Sequence, residues 1–188
     1  MLEILLLIIL FKYIIIVDVI GIWGDIMSLS KIIDITCPKC NTKQSFKIWQ
    51  SINVTEDRTL KDMVFSQELF KFKCSYCGVT SIIEYPFIYH DAEKKFFVYF
   101  DPSKRFENVI ETPEYKTKTT GEYLELLEVV RILEDGIDEK KVAAAKEELL
   151  NKFRNNEKLK HINKIYYSGA ENEKLVFFVP EINGKILF

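Results

Sequence analysis

"CPKCN" at residues 37–41 and "CSYCG" at 74–78 contain all four cysteines of the chain. Each is a Cys-x-x-Cys pair, and two such pairs supply the four thiolates that fill a closed, tetrahedral zinc site. The neighbouring residues agree. A knuckle of this kind curls its backbone amides toward the sulfurs, and its turn asks for a positive φ just after the second cysteine. Gly78 adopts that freely, and Asn41 is among the few other residues that tolerate it. Pro38 pre-sets φ inside the first knuckle, and Ser75 holds the equivalent place in the second. Cys37, Cys40, Cys74 and Cys77 are therefore the candidate metal ligands, with zinc as the cofactor. Four thiolates leave no open position for water, so the metal's role is structural rather than catalytic.

The rival chemistry is thiol-disulfide exchange, for which a Cys-Pro-x-Cys motif is suited. Such a motif sits at a helix start in a βαβ setting. Here there are two motifs, both after strand-like runs, "KIIDIT" (31–36) and "FKFKC" (70–74). Four cysteines in 188 residues are also too few for a secreted disulfide scaffold. Between the knuckles, "SFKIWQSINV" (45–54) reads as a strand. "TLKDMVFSQEL" (59–69), with apolar residues at Leu60, Met63, Val64 and Leu69, reads as a short helix inserted between the two halves of the site.

After the second knuckle come "VTSIIEYPFIY" (79–89), with Pro86 marking an edge or bulge, and "KKFFVYF" (94–100), joined by a turn at "HDAE". Residues 101–121 read as a connector carrying Pro102, Pro113 and Gly121. Thr119 and Glu122 match a capping box for a helix with its apolar stripe at Leu124, Leu127 and Val130, ended by Gly136. Asp138 caps a second helix, "EKKVAAAKEELLNKF", so the two form a hairpin. The chain closes in strands: "INKIYYS", "KLVFFVP" after a turn at "GAENE", and "KILF" after Asn183-Gly184. The expected fold class is α+β. A zinc-ribbon-like antiparallel β part (27–101) leads through the connector (102–121) to a helical hairpin and a C-terminal β-meander (122–188).

Residues 1–26 stand apart. They are strongly apolar and carry the whole formal net charge of −2. The run from Leu2 to Trp23 approaches the about 20 residues a membrane span needs, although Lys12 and Asp18 interrupt it. No basic start and no small-residue cleavage site mark a signal peptide. Met27 opens "MSLSKIIDIT", and "WGDIM" back-translates to a purine-rich tract just before an ATG. Residues 1–26 are accordingly read as an apolar leader upstream of the true start, otherwise as a membrane anchor. The expected location is cytoplasmic, or inner-membrane-anchored with the zinc domain in the cytoplasm; a membrane is a partner only if this segment is translated.

Charge narrows the function. A net charge of −2 advertises no nucleic acid or anionic surface. Lys39, Lys43, Lys47, Lys71 and Lys73 surround the cysteines, but a tetrathiolate zinc carries −2, which they offset. His90 and Asp91 could form a proton-transfer pair; turn chemistry is the competing account, because no nucleophile is paired with them. No catalytic residue is assigned. The favoured reading is a binding module with a protein partner. A nucleic-acid-binding zinc ribbon and a thiol-disulfide oxidoreductase stand as alternatives.

The constellation "ITCPKC" (35–40), "WQSINVT" (49–55), "ELFKFKCSYCG" (68–78), "EYPFIYHD" (84–91) and "LEDGID" (133–138) resembles the CpXC family. The resemblance covers about residues 28–140. It implies that Cys37, Cys40, Cys74 and Cys77 are the family's paired cysteines and that His90 and Asp91 match its Tyr-His-Asp motif. It also implies a domain starting near Met27. Ser75 departs from the proline usual in the second motif, which leaves ligation intact. The resemblance implies no particular activity.

Overall fold

The computed structural model describes residues 27–104, 109 and 112–188, so the leader or anchor expected at 1–26 lies outside the described residues. The chain forms two compact units. One runs to Phe97 and takes in Pro113–Tyr115; the other holds Val98–Thr112 and Lys116–Phe188. The expected α+β class is what the structure has.

The first unit opens with β1 (Leu29–Thr36) and β2 (Lys43–Asn53), paired antiparallel. Helix α1 (Arg58–Phe65) follows, with Asp57 as its N-cap accepting the Thr59 N–H at 2.9 Å, and it buries Leu60 and Val64. That cap satisfies one of the orphan donors of the first turn. A 3-10 turn (Glu68–Phe70) delivers the chain to β3 (Lys71–Lys73), which pairs antiparallel with β4 (Thr80–Ile82). Then β5 (Phe87–Asp91) returns to β2, and this pairing is parallel, with Ile52 opposite Tyr89. The β part is thus mixed rather than wholly antiparallel. The cause is the insertion from Val54 to Pro86, which is long enough to act as a crossover and lets β5 enter from the same end as β2.

Aromatic side chains hold this unit together. Phe70 packs on Tyr85 (ring centroids 5.4 Å apart) and on Phe87 (5.6 Å), and Phe46 meets Phe72 edge-on at 5.9 Å. Tyr85 is also tied by its hydroxyl, which donates to the Leu69 carbonyl at 2.9 Å and accepts from the Trp49 N–H at 3.4 Å. Burial pushes the Tyr85 hydroxyl up to about 12, so it stays a donor across the neutral range.

The division between units falls inside β6 (Phe96–Phe100). In the second unit, residues 116–120, within the stretch read as a connector, form β7 (Lys116–Thr120). Helix α2 (Tyr123–Asp135) buries Tyr123, Leu126, Val130 and Leu133, and Gly136 ends it at φ +63° as expected. Asp138 caps α3 (Glu139–Arg154) by accepting the Lys140 N–H. The capping box is not formed. Thr119 lies in β7, and Glu122 turns its carboxylate to Lys164 Nζ at 2.8 and 3.0 Å instead. Strands β8 (Tyr166–Glu171), β9 (Lys174–Val179) and β10 (Gly184–Leu187) form an antiparallel meander. Asn172 and Glu173, both at positive φ, make the tight β8–β9 turn. Val142, Leu149, Phe153, Ile165 and Phe177 are among the buried residues joining hairpin and meander in one core. Among the described residues no helix is long and apolar enough to cross a membrane.

Candidate metal centre

Both cysteine pairs close a hairpin. The first lies between β1 and β2, whose last partners are Thr36 and Lys43. The second lies between β3 and β4, whose last partners are Lys73 and Thr80. Their backbones repeat each other. In the first, the Cys37 N–H donates to the Thr42 carbonyl and the Asn41 N–H to the Cys37 carbonyl, each at 3.0 Å. In the second, the Cys74 N–H donates to the Val79 carbonyl at 2.9 Å and the Gly78 N–H to the Cys74 carbonyl at 3.0 Å. Positive φ falls where the turn requires it, at Asn41 (+57°) and Gly78 (+72°).

The two hairpins bring the four sulfurs within 4.8 Å of one another. The close contacts cross between knuckles: Cys37 to Cys77 at 3.7 Å and Cys40 to Cys74 at 3.6 Å. All four cysteines are free, and in each knuckle the first is buried and the second half-buried. Ile35, Phe46, Phe72, Val79 and Ile83 wall the cluster with apolar surface. Four soft donors converging in such a shell are a donor set for a metal ion.

Two sulfurs are further prepared. Hydrogen bonds hold the Cys74 thiol down to about 6, first from the Cys77 backbone N–H, then from the Tyr76 N–H and the Gln44 amide, against the opposing effect of burial. Cys40 is lowered by the Thr42 hydroxyl, 3.3 Å from its sulfur, and by the Thr42 backbone. Cys77 goes the other way. The Val79 N–H favours its thiolate, but burial and the three neighbouring sulfurs outweigh it and push the thiol up to about 11. A cluster that holds some thiols down and crowds another up is one that accepts a cation more readily than four separate negative charges.

Sequence reasoning missed Gln44 and Thr42. Gln44 sits at the start of β2, and its amide reaches across to the second knuckle: Nε2 donates to Cys74 Sγ at 2.9 Å, and Oε1 accepts the Ser75 N–H at 2.9 Å and the Ser75 hydroxyl at 2.8 Å. The available signal was alternation, because Gln44 shares its face of the strand with Phe46 and Ile48 and is the polar member of that set.

The structure does not bring His90 and Asp91 into this site. They are consecutive residues of β5, and strand alternation turns them apart. His90 is buried, stacked on Phe97 at 4.4 Å and tilted against Tyr115 at 5.6 Å. Asp91 does turn chemistry: its Oδ1 accepts the Lys94 N–H at 2.8 Å and the Thr55 hydroxyl at 3.3 Å. Of the five lysines near the cysteines, Lys71 pairs with Glu68 at 2.6 Å and Lys47 lies over the Trp49 ring at 4.1 Å.

No curated protein matches the chain, and no solved structure does. A family model described as CpXC protein matches residues 35–146, a span that covers more than half the chain, both knuckles and the residues that wall them. With the paired cysteines in the geometry just described, the chain belongs to the CpXC family.

Proposed function

We propose that the first unit is a binding module whose fold is set by one structural zinc ion on Cys37, Cys40, Cys74 and Cys77. The observation that carries this reading is the sulfur geometry. A zinc–thiolate bond of about 2.3 Å in a tetrahedron gives sulfur separations of about 3.8 Å. The cross-knuckle contacts are 3.6 and 3.7 Å, and the whole set falls within 4.8 Å. Four thiolates saturate a tetrahedral ion, so the metal supplies stability and shape rather than Lewis acidity toward a substrate. A protein partner accounts best for a unit without an open metal position. The four free thiols fit a reducing compartment such as the cytoplasm.

The redox alternative asks for a disulfide within one Cys-x-x-Cys motif, whereas here all four sulfurs gather within 4.8 Å of one another, with cross-motif contacts at 3.6 and 3.7 Å. The nucleic-acid alternative needs free cations, and two of the five lysines are engaged. The test is metal content and thiol count on the full chain purified under reducing conditions. One zinc per chain, with thiols masked until a chelator is added and zinc lost in Cys40→Ser, is the expected result. Four reactive thiols without metal, cycling to disulfides, would replace this reading with the redox one. Salt-dependent binding to DNA or RNA would replace the protein partner with a nucleic acid.

A further inference from the structure

The two knuckles share a backbone frame but not a set of side-chain contacts, and the difference centres on Gln44. Its amide makes three hydrogen bonds, all to the second knuckle. Their direction follows from chemistry. The Ser75 backbone N–H can only donate, so the amide atom facing it must be the oxygen. That leaves the NH2 group facing Cys74 Sγ, at 2.9 Å. The oxygen's two lone pairs are both used, by the Ser75 N–H and the Ser75 hydroxyl. One side chain therefore fixes the knuckle backbone and a ligand sulfur together. It does so from β2, the strand that begins just past the first knuckle.

We propose that Gln44 is the positioning residue of the metal centre: it locks the second knuckle onto β2 and tunes the Cys74 thiolate as a ligand. This rests on the metal reading above. The physical effect is twofold. Ordering Cys74 before the metal arrives removes part of the entropy cost of assembling four ligands from two hairpins. Donating an N–H to the sulfur draws off electron density, so the thiolate gives less charge to the metal and is a poorer nucleophile. The Cys40 thiol in turn donates to the Thr42 hydroxyl at 3.3 Å, so Thr42 and Gln44, at the entry to β2, place a polar group against one sulfur of each knuckle.

The first knuckle supplies the control. Pro38 stands where the second has Ser75, inside the same pair of backbone hydrogen bonds. Ser75→Pro should therefore keep the knuckle frame while deleting both donors to Gln44 Oε1. Gln44→Glu keeps an acceptor for Ser75 and removes the N–H donor to sulfur.

The experiment is cobalt(II) and zinc(II) titration of the full chain and these variants against a competing chelator, with the sulfur-to-cobalt charge-transfer band as a second readout. Hydrogen-bonding partners of metal ligands are typically worth about 10- to 100-fold in affinity. That loss is expected for Gln44→Ala, with a smaller one for Ser75→Pro. The band should move to lower energy in Gln44→Ala and Gln44→Glu, because a thiolate without its donor gives up charge more easily. Wild-type chain that takes up neither metal overturns the metal reading itself. Wild-type chain that binds, with Gln44 variants unchanged in affinity and band, overturns the role of Gln44 alone. A fall in affinity with an unmoved band in the Gln44 variants would mean general support of the fold, and it also overturns the proposal. If Gln44→Ala does not fold, Gln44→Glu decides by the same two readouts, and Ser75→Pro, which keeps the N–H to Cys74 Sγ, decides by affinity alone with its band expected in place.

Discussion

Replacing Gly78 by alanine isolates one element of the metal centre. Gly78 sits just after Cys77 at φ +72°, and a Cβ added there would meet nothing within 4 Å. Steric crowding by neighbours therefore drops out, and what remains is the backbone penalty for an L-residue in the left-handed region, about 1–2 kcal/mol. The knuckle adopts this turn to aim the Cys74 and Cys77 sulfurs, so the penalty falls on the metal-bound state. At 1.4 kcal/mol per tenfold, metal affinity should drop about 5- to 30-fold. Gly78→Asn should lose much less, because asparagine visits this region routinely and Asn41 already does so at φ +57° in the first knuckle. By the same reasoning Asn41→Gly should cost little and Asn41→Ala more. The assay is chelator competition on the full chain, with denaturant unfolding of the loaded protein as a check. Equal affinities for Gly78→Ala and Gly78→Asn would refute the argument, since both add a Cβ where nothing lies within 4 Å and they differ in tolerance of positive φ.

Acid should release the metal. Cys74 and Cys40 are held below the ordinary thiol value, Cys74 at about 6. A group with a depressed folded pKa contributes stability that is present above its unfolded value and lost as pH falls through the folded one; a bound cation, which requires thiolates, pulls the same way. Retention should be full near neutral-to-alkaline pH and be lost as acid protonates the thiolates, read by dialysis against buffers of decreasing pH; retention that does not change with acidification would refute it. Tyr85→Phe should cost about 1–3 kcal/mol, because it removes the partner of the buried Leu69 carbonyl and of the Trp49 N–H. Equilibrium unfolding of the loaded chain measures it, and an unchanged midpoint would show those groups satisfied by other means.

The cysteine cluster was legible because its requirements are local. Two cysteines three apart, a residue tolerant of positive φ after each pair and a strand before it are all written within a few positions. The knuckle hydrogen bonds then close over no more than five residues. The helix caps at Gly136 and Asp138 were readable for the same reason. What escaped was decided at a distance. Glu122 matched half of a capping box, yet an ammonium 42 residues away, on Lys164, took its carboxylate. Strand β7 is "KTKTT", a sequence of lysine and threonine without an apolar face, so only its neighbours make it a strand. The β2–β5 pairing runs parallel because of the long insertion that separates them, and no residue in either strand encodes that direction. Gln44 belongs to the same class. A polar residue in step with Phe46 and Ile48 signals that something polar lies beneath the strand, but that it is a sulfur 30 positions later appears only once the hairpins are folded. In this chain, then, the four cysteines could be read from spacing, while the amide that reaches them could be found only through the pairing of strands that spacing does not specify.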